Sequence, residues 1–182
     1  MHKPSPTDAP AASAAAGARG FTLIEMLTTV AVLVVSLALA APALGGFIRS
    51  NRLVSAQSEY VSSLMLARSE AARRGTPVGI DAKAAAAAGG FARGWRVWVD
   101  ANGNGNYDAG ETLLRDVADR GAGVAISATG DVRDVVFSPR GFLAAAALVD
   151  VIVCGSAGEV RGYRLRVEPV GLVDAAEVTT CP

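Results

Sequence analysis

The 182-residue sequence contains a single histidine, His2, and carries no net charge, with 17 Lys and Arg against 17 Asp and Glu. Without a second imidazole, neither the serines nor the two cysteines, Cys154 and Cys181, have the base that an activated nucleophile ordinarily needs. No carboxylate pair stands out as a general acid and base, so the chain reads as a non-enzyme. The balanced charge removes any bulk argument for a nucleic-acid partner.

A more telling absence lies near the N-terminus. From Phe21 to Ile48 the only ionisable side chain is Glu25. About 20 apolar residues suffice for a helix to cross a bilayer, and this run supplies them. A carboxylate there costs roughly 2.5–3.5 kcal/mol at mid-membrane and less near the edge. Glu25 therefore either has a partner or sits at the headgroup level bonded to water. If the chain is cut after Gly20, a free amine appears on Phe21, one helical turn ahead of Glu25. That amine, or its copy on a neighbouring subunit, can neutralise the carboxylate in a low-dielectric bundle.

Gly20-Phe21-Thr22-Leu23-Ile24-Glu25 and the long apolar run behind it resemble the class III signal of type IV pilins and pseudopilins. The resemblance implies that a prepilin peptidase cuts after Gly20, that the new N-terminus on Phe21 is methylated, and that Glu25 guides assembly. It further implies a single-pass protein of the bacterial inner membrane, with its globular part periplasmic, whose partners are other pilin-type subunits in a pilus or pseudopilus. Pro42 falls where those helices often carry a proline.

Met1–Gly20 is polar and then alanine-rich, with Pro4, Pro6 and Pro10, and is expected to be a disordered leader. Ala38-Leu39-Ala40 offers a competing A-x-A site, and cleavage after Ala40 would release a soluble protein. Glu25 inside the apolar run, and the continuation of that run to Ile48, argue against it. Pro42 and Gly45-Gly46 predict a bend or local loosening within the helix.

Beyond Ile48, Leu53, Ala56, Tyr60, Leu64, Ala67 and Ala71 recur at steps of three and four, with Arg52, Glu59, Arg68 and Glu70 between them. This predicts an amphipathic helix with one buried stripe. Arg73 and Arg74 suit its last turn, Gly75 a cap and Pro77 a stop. Strands are expected at Val78–Ile80, Trp95–Val99, Leu113–Val117, Val124–Ser127, Val135–Ser138, Leu148–Cys154 and Tyr163–Val167, with weaker ones at Val170–Val173 and Glu177–Thr180. Ala82–Arg93 reads as a low-complexity loop. The two cysteines pair if the domain lies in an oxidising compartment, and are buried free thiols otherwise.

The second half carries its own resemblance. Gly94-Trp95-Arg96-Val97-Trp98-Val99-Asp100, an Asn/Gly loop, Leu113-Leu114-Arg115 and Phe137-Ser138-Pro139-Arg140-Gly141 are similar to the globular domain of pseudopilin H and FimT-type minor pilins. The expected fold is thus α+β: a leader at 1–20, a membrane-spanning helix at 21–48, its amphipathic half at 49–75, and a globular β domain at 76–182 whose one mostly antiparallel sheet packs against the C-terminal half of the helix. The function implied is that of a minor subunit of a type II secretion pseudopilus or a type IV pilus, near the filament tip.

Two further patterns stand apart. Asp100-Ala101-Asn102-Gly103-Asn104-Gly105-Asn106-Tyr107-Asp108-Ala109-Gly110-Glu111 matches the twelve-residue calcium loop. Asp100, Asn102, Asn104, Asp108 and Glu111 stand at the oxygen-bearing positions, Gly105 at the sharp turn, and Asn106 would give its backbone carbonyl. The bland reading is a hairpin tip shaped by Asn and Gly without Ca2+. The other pattern is basic: Arg164 and Arg166 on one strand face with Arg161 nearby, weighed against an ordinary solvated strand. Some FimT-type minor pilins bind DNA through a Gly-Arg-x-Arg segment, so the resemblance implies, as an alternative function, a DNA-binding minor pilin in DNA uptake. In this chain Gly171-Leu172-Val173-Asp174 has leucine and aspartate where those arginines stand.

Mass spectrometry of the mature N-terminus is expected to find methylated Phe21. A chain beginning at Ala41 would show instead that the soluble alternative is correct.

Overall fold

A computed structural model describes residues 20–85, 90–119, 121, 123–129, 132–145, 147–155 and 161–181. The expected leader, apart from Gly20, lies outside them. The chain divides into two units, Met1–Ala43 and Leu44–Pro182.

Helix α1 runs from Leu23 to Arg74 over 52 residues. Thr22 starts it, its hydroxyl accepting a hydrogen bond from the Glu25 amide at 3.3 Å, as an N-cap does. In the first unit the helix is long and apolar enough to cross a membrane, with a mean hydropathy of 2.3 in an 18-residue window. Its large apolar side chains, Leu23, Ile24, Leu27, Leu33 and Leu37 among them, are exposed. The helix assignment continues through Pro42 and Gly45-Gly46.

In the second unit the stripe of Leu53, Ala56, Tyr60, Leu64, Ala67 and Ala71 is buried as its spacing predicts. Glu70 takes both Arg73 and Arg74 as partners at 2.6 Å. The hydrogen bonds from those arginines hold the Glu70 carboxyl down at about 2. Gly75, at φ 66°, closes the helix with a hydrogen bond from its amide to the Ala71 carbonyl at 3.0 Å, the left-handed cap that glycine adopts freely.

Among the described residues eight strands follow: β1 (Val78–Ala82), β2 (Trp95–Val99), β3 (Leu113–Val117), β4 (Val124–Ala128), β5 (Asp134–Phe137), β6 (Val149–Gly155), β7 (Gly162–Val167) and β8 (Val173–Val178). They form two four-stranded sheets, ordered β3-β2-β1-β5 and β4-β6-β7-β8. Every strand pair is antiparallel.

One core cluster joins the α1 stripe to both sheets, through Ile80, Trp95, Val97 and Phe137 of the first and Val151, Val153, Leu165 and Val167 of the second. Tyr60 sits at its centre, edge-on to Phe91 at 5.1 Å and to Trp95 at 5.3 Å. Such buried side chains contribute about 1.5–3 kcal/mol each.

The strands differ from their expected form in three places. A single sheet is replaced by two, because residues from β4 onward pair among themselves around β6 and leave only β5 to the first sheet. The weak strands at Val170–Val173 and Glu177–Thr180 are one strand, β8, preceded by a turn in which Gly171 adopts φ 78°. The Ala82–Arg93 segment is not all loop. Ala82 ends β1, and Phe91–Arg93 form a short 3-10 turn whose Phe91 is fully packed; residues 86–89 lie outside the described residues.

Cys154 and Cys181 form a disulfide across a separation of 27 residues, a closure that stabilises by roughly 3–4 kcal/mol in the chain-entropy picture. The bridge passes over β7 at Gly162, where an added Cβ would lie 2.9 Å from one sulfur and 3.0 Å from the other. Glycine at that position makes room for the bridge.

A latch ties the strand connections to α1. Arg68 donates from Nε to the Gly141 carbonyl at 3.1 Å and from a terminal nitrogen to the Val170 carbonyl at 3.3 Å. A Cβ at Gly171 would stand 2.1 Å from the Gly141 oxygen and 2.9 Å from Arg68 Nε. Gly171→Ala is therefore expected to destabilise the protein by about 2–3 kcal/mol in equilibrium denaturation. Gly75→Ala, at a similar φ but with open space around it, is expected to cost about 1 kcal/mol. Equal losses would show that the latch adds nothing.

Candidate functional site

Three places carry the residues singled out by sequence. The first is the start of α1. Gly20 and Phe21 are exposed ahead of the helix, and Glu25 lies three residues after the capping Thr22. Thr22-Leu23-Ile24-Glu25 is also the T-x-x-E pattern of a capping box, a signal that the sequence itself carries. The acid sits where the helix dipole favours negative charge.

The second place is the loop between β2 and β3. Asp100 is only 2% exposed at the end of β2. Its Oδ1 accepts from the amides of Gly103 and Asn104 at 2.7 and 3.1 Å, and its Oδ2 from the Gly105 amide at 3.0 Å. Gly105, at the sixth position, has φ 75°, the turn that position requires. The Glu111 carboxylate folds back and accepts from the Ala101 and Asp108 amides, each at 3.0 Å. Asn102 and Asn104 both donate to Asp108 Oδ2, at 2.8 and 2.7 Å.

The structure thus draws Asn102, Asn104 and Asp108 to one point and clasps the loop from its two ends through Asp100 and Glu111. The Asn106 side chain turns to the Asn104 carbonyl. Among the described residues, no group of three or more His, Cys, Asp or Glu side chains could hold a metal. A cation would therefore depend on the asparagine carbonyls, and both amides would have to turn over to present oxygen.

Tyr107, which the motif does not use, anchors the loop. Its ring meets Trp98 edge-on at 5.9 Å, and the Arg96 guanidinium lies 4.2 Å from its centroid. Arg96 in turn pairs with the buried Asp81. A cavity of about 380 Å³ opens beside the loop, lined by Asp100, Asn104, Gly105, Asp134, Val135, Leu143 and Leu148 among others. Burial, and then the Asp81 carboxylate opposite it, push the Asp134 carboxyl above its ordinary range.

The third place is β7. Arg164 is exposed, and so is Arg161 just before the strand. Arg166 is taken up by Asp150 of β6 at 3.1 Å, and that hydrogen bond raises its pKa. Asp174 of β8 faces Arg166 from the other side. The three arginines do not converge as a set of free cations, because the second sheet places acids directly across from one of them.

The sequence profile of type II transport protein GspH matches residues 56–171. The chain belongs to the GspH family. No curated protein sequence matches it. Among solved structures, it is similar to the Pseudomonas aeruginosa type IV minor pilin FimU in two crystal forms. In space group P21 the identity is 23%, 75% of this chain and 99% of that chain are covered, and the TM-score is 0.62. In space group P65 the values are 21%, 71%, 100% and 0.59. At these identities the likeness establishes a common fold, one long N-terminal helix packed on antiparallel sheets. The GspH match covers most of the amphipathic half of α1, all four strands of the first sheet and three of the four of the second, and the fold is pilin-like.

Proposed function

We propose that this GspH-family chain is a minor subunit of a type II secretion pseudopilus or a type IV pilus. In this reading the apolar half of α1 anchors it in the inner membrane with the globular unit in the periplasm. A prepilin peptidase cuts after Gly20, and the chain then enters a filament near its tip. The observation that carries the reading is the exposed apolar surface of the first part of α1, where Glu25 is the only ionisable side chain from Phe21 to Ile48. So large a greasy surface needs a bilayer or neighbouring helices to cover it, and a single acid at its entrance needs a countercharge. The free amine on Phe21 of an adjacent subunit supplies one.

Glu25→Ala is expected to leave processing after Gly20 intact while lowering recovery of the chain in sheared filaments at least about tenfold, a loss equivalent to about 1.4 kcal/mol. Normal recovery would refute the pairing.

The Asp100–Glu111 loop supports a second role for the same protein, as a calcium site that stiffens the β2–β3 connection. What favours it is the convergence of Asn102, Asn104 and Asp108 under a loop already wound by the Asp100 and Gly105 contacts. Ca2+ takes six to eight hard oxygens, and turning the two asparagine amides outfits the point with carbonyls beside the carboxylate. Calcium is expected to raise the melting temperature of the full chain in detergent relative to EDTA, an increment that Asp108→Asn reduces. A melt indifferent to calcium assigns the loop to a metal-free turn. The alternative of a DNA-uptake pilin rests on Arg161 and Arg164 once Asp150 has engaged Arg166.

A further inference from the structure

A groove of about 630 Å³ runs along the outer side of α1 in the globular unit, and its described lining includes Arg68, Arg115 and Arg140 but no carboxylate. These cations come from separate elements: α1, β3 and the turn after β5. Arg68 spends its bonds on two backbone carbonyls. Arg115 donates to the hydroxyls of Ser62 and Ser63, each at 3.2 Å. Arg140 is exposed. Among the described residues none of the three is paired with an acid, in contrast to Arg73, Arg74, Arg93, Arg96 and Arg166.

The floor between the cations is not charged. Met65 is 41% exposed there, beside Leu66 and Ala72. The exposed positions of α1 that lead along the groove, Ser58, Ser62, Met65, Ser69 and Ala72, are small, hydroxylic or apolar. A partner backbone can approach such a face closely.

We infer that this groove receives a carboxylate-bearing segment of a neighbouring pilin-type subunit, one with an apolar side chain to lay on Met65 and acids to meet Arg115 and Arg140. The inference rests on the filament reading above and adds the surface through which the globular units meet. Charge decides the type of contact. Two copies of this groove facing each other would set guanidiniums against guanidiniums, which costs affinity. The groove therefore meets a different surface of its partner. That is a heterologous contact, the kind that propagates into open helical filaments rather than closed dimers.

The apolar floor separates this occupant from a nucleic acid. A phosphate backbone is held by convergent cations and gains little from Met65 and Leu66, and two N–H donors of Arg68 are already given to backbone carbonyls. A carboxylate flanked by apolar atoms uses both features, and Arg140 keeps its full fork of donors for it.

The test places the photoreactive residue p-benzoylphenylalanine at position 65 of the full chain, in cells that assemble the filament, and sequences the cross-linked peptide. The expected product is a peptide of another pilin-type subunit with an Asp or Glu close to the cross-link. Arg140→Glu, at an exposed turn residue with no bond of the fold to lose, should lower the yield at least about fivefold. Exchanging the partner's acid for Lys should restore it. Arg115→Glu tests the same point from the sheet side.

A cross-linked peptide lacking acids, or a yield unmoved by Arg140→Glu, overturns the inference. So does a persistent cross-link alongside salt-dependent binding of a short DNA duplex by the purified full chain that Arg140→Glu abolishes. A chain that never co-sediments with filaments refutes the filament reading and this inference together. One that co-sediments without an acid-dependent cross-link refutes this inference alone.

Discussion

The globular unit depends on one contact: the buried stripe of α1 against two sheets at once. Leu53, Ala56, Tyr60, Leu64, Ala67 and Ala71 form that stripe, and half of its side chains are single methyl groups. Alanine lets the helix axis approach the strands, while Tyr60 fills the space where Phe91 and Trp95 converge. The price of this density is polar. Among the described residues the Tyr60 hydroxyl has no hydrogen-bond partner, and burial pushes its pKa far upward. Next to it Ser63 resolves the same problem, accepting from Trp95 Nε1 at 2.9 Å and donating to the Glu59 carbonyl.

Around that contact, the fold uses glycine wherever backbone and bulky groups must share space. Gly79 lies under the Trp98 ring, which would stand 2.6 Å from an added Cβ. Gly162 lies under the disulfide, and Gly171 sits against the Gly141 carbonyl and Arg68. Each closes a gap between elements distant in sequence. The result is a rigid scaffold from which the β2–β3 loop and the arginine groove project, two features that the helix alone could not present.

Much of this was legible in the chain. The three- and four-residue spacing gave the buried face of α1 position by position, and Arg73, Arg74, Gly75 and Pro77 marked its end. The first-sheet strands were readable from the alternation in Trp95–Val99 and the short apolar runs around Val78 and Val135, although the fold buries every position of β1 and all of β2 but Arg96. Phe91 was not readable, since its neighbours are alanines and glycines with no period. Nor was the division into two sheets, because a strand's own pattern says which face is buried and not which strand lies beside it. The arginines of β7 looked like a basic patch for the same reason: Asp150 and Asp174 are neighbours only through pairing.

By itself the sequence determined that a long apolar helix carries a lone acid near its start, where that helix turns amphipathic and ends, and that a twelve-residue loop carries oxygen side chains at ligand spacing. These are local properties, written in composition and short-range period. Tertiary structure decided which cations keep a free face. Arg166 is neutralised because β6 passes beside it, whereas Arg68, Arg115 and Arg140, far apart in sequence, line one groove with no acid among its described residues. Whether a charge is available to a partner depends on what folding sets next to it, and that is fixed by long-range packing.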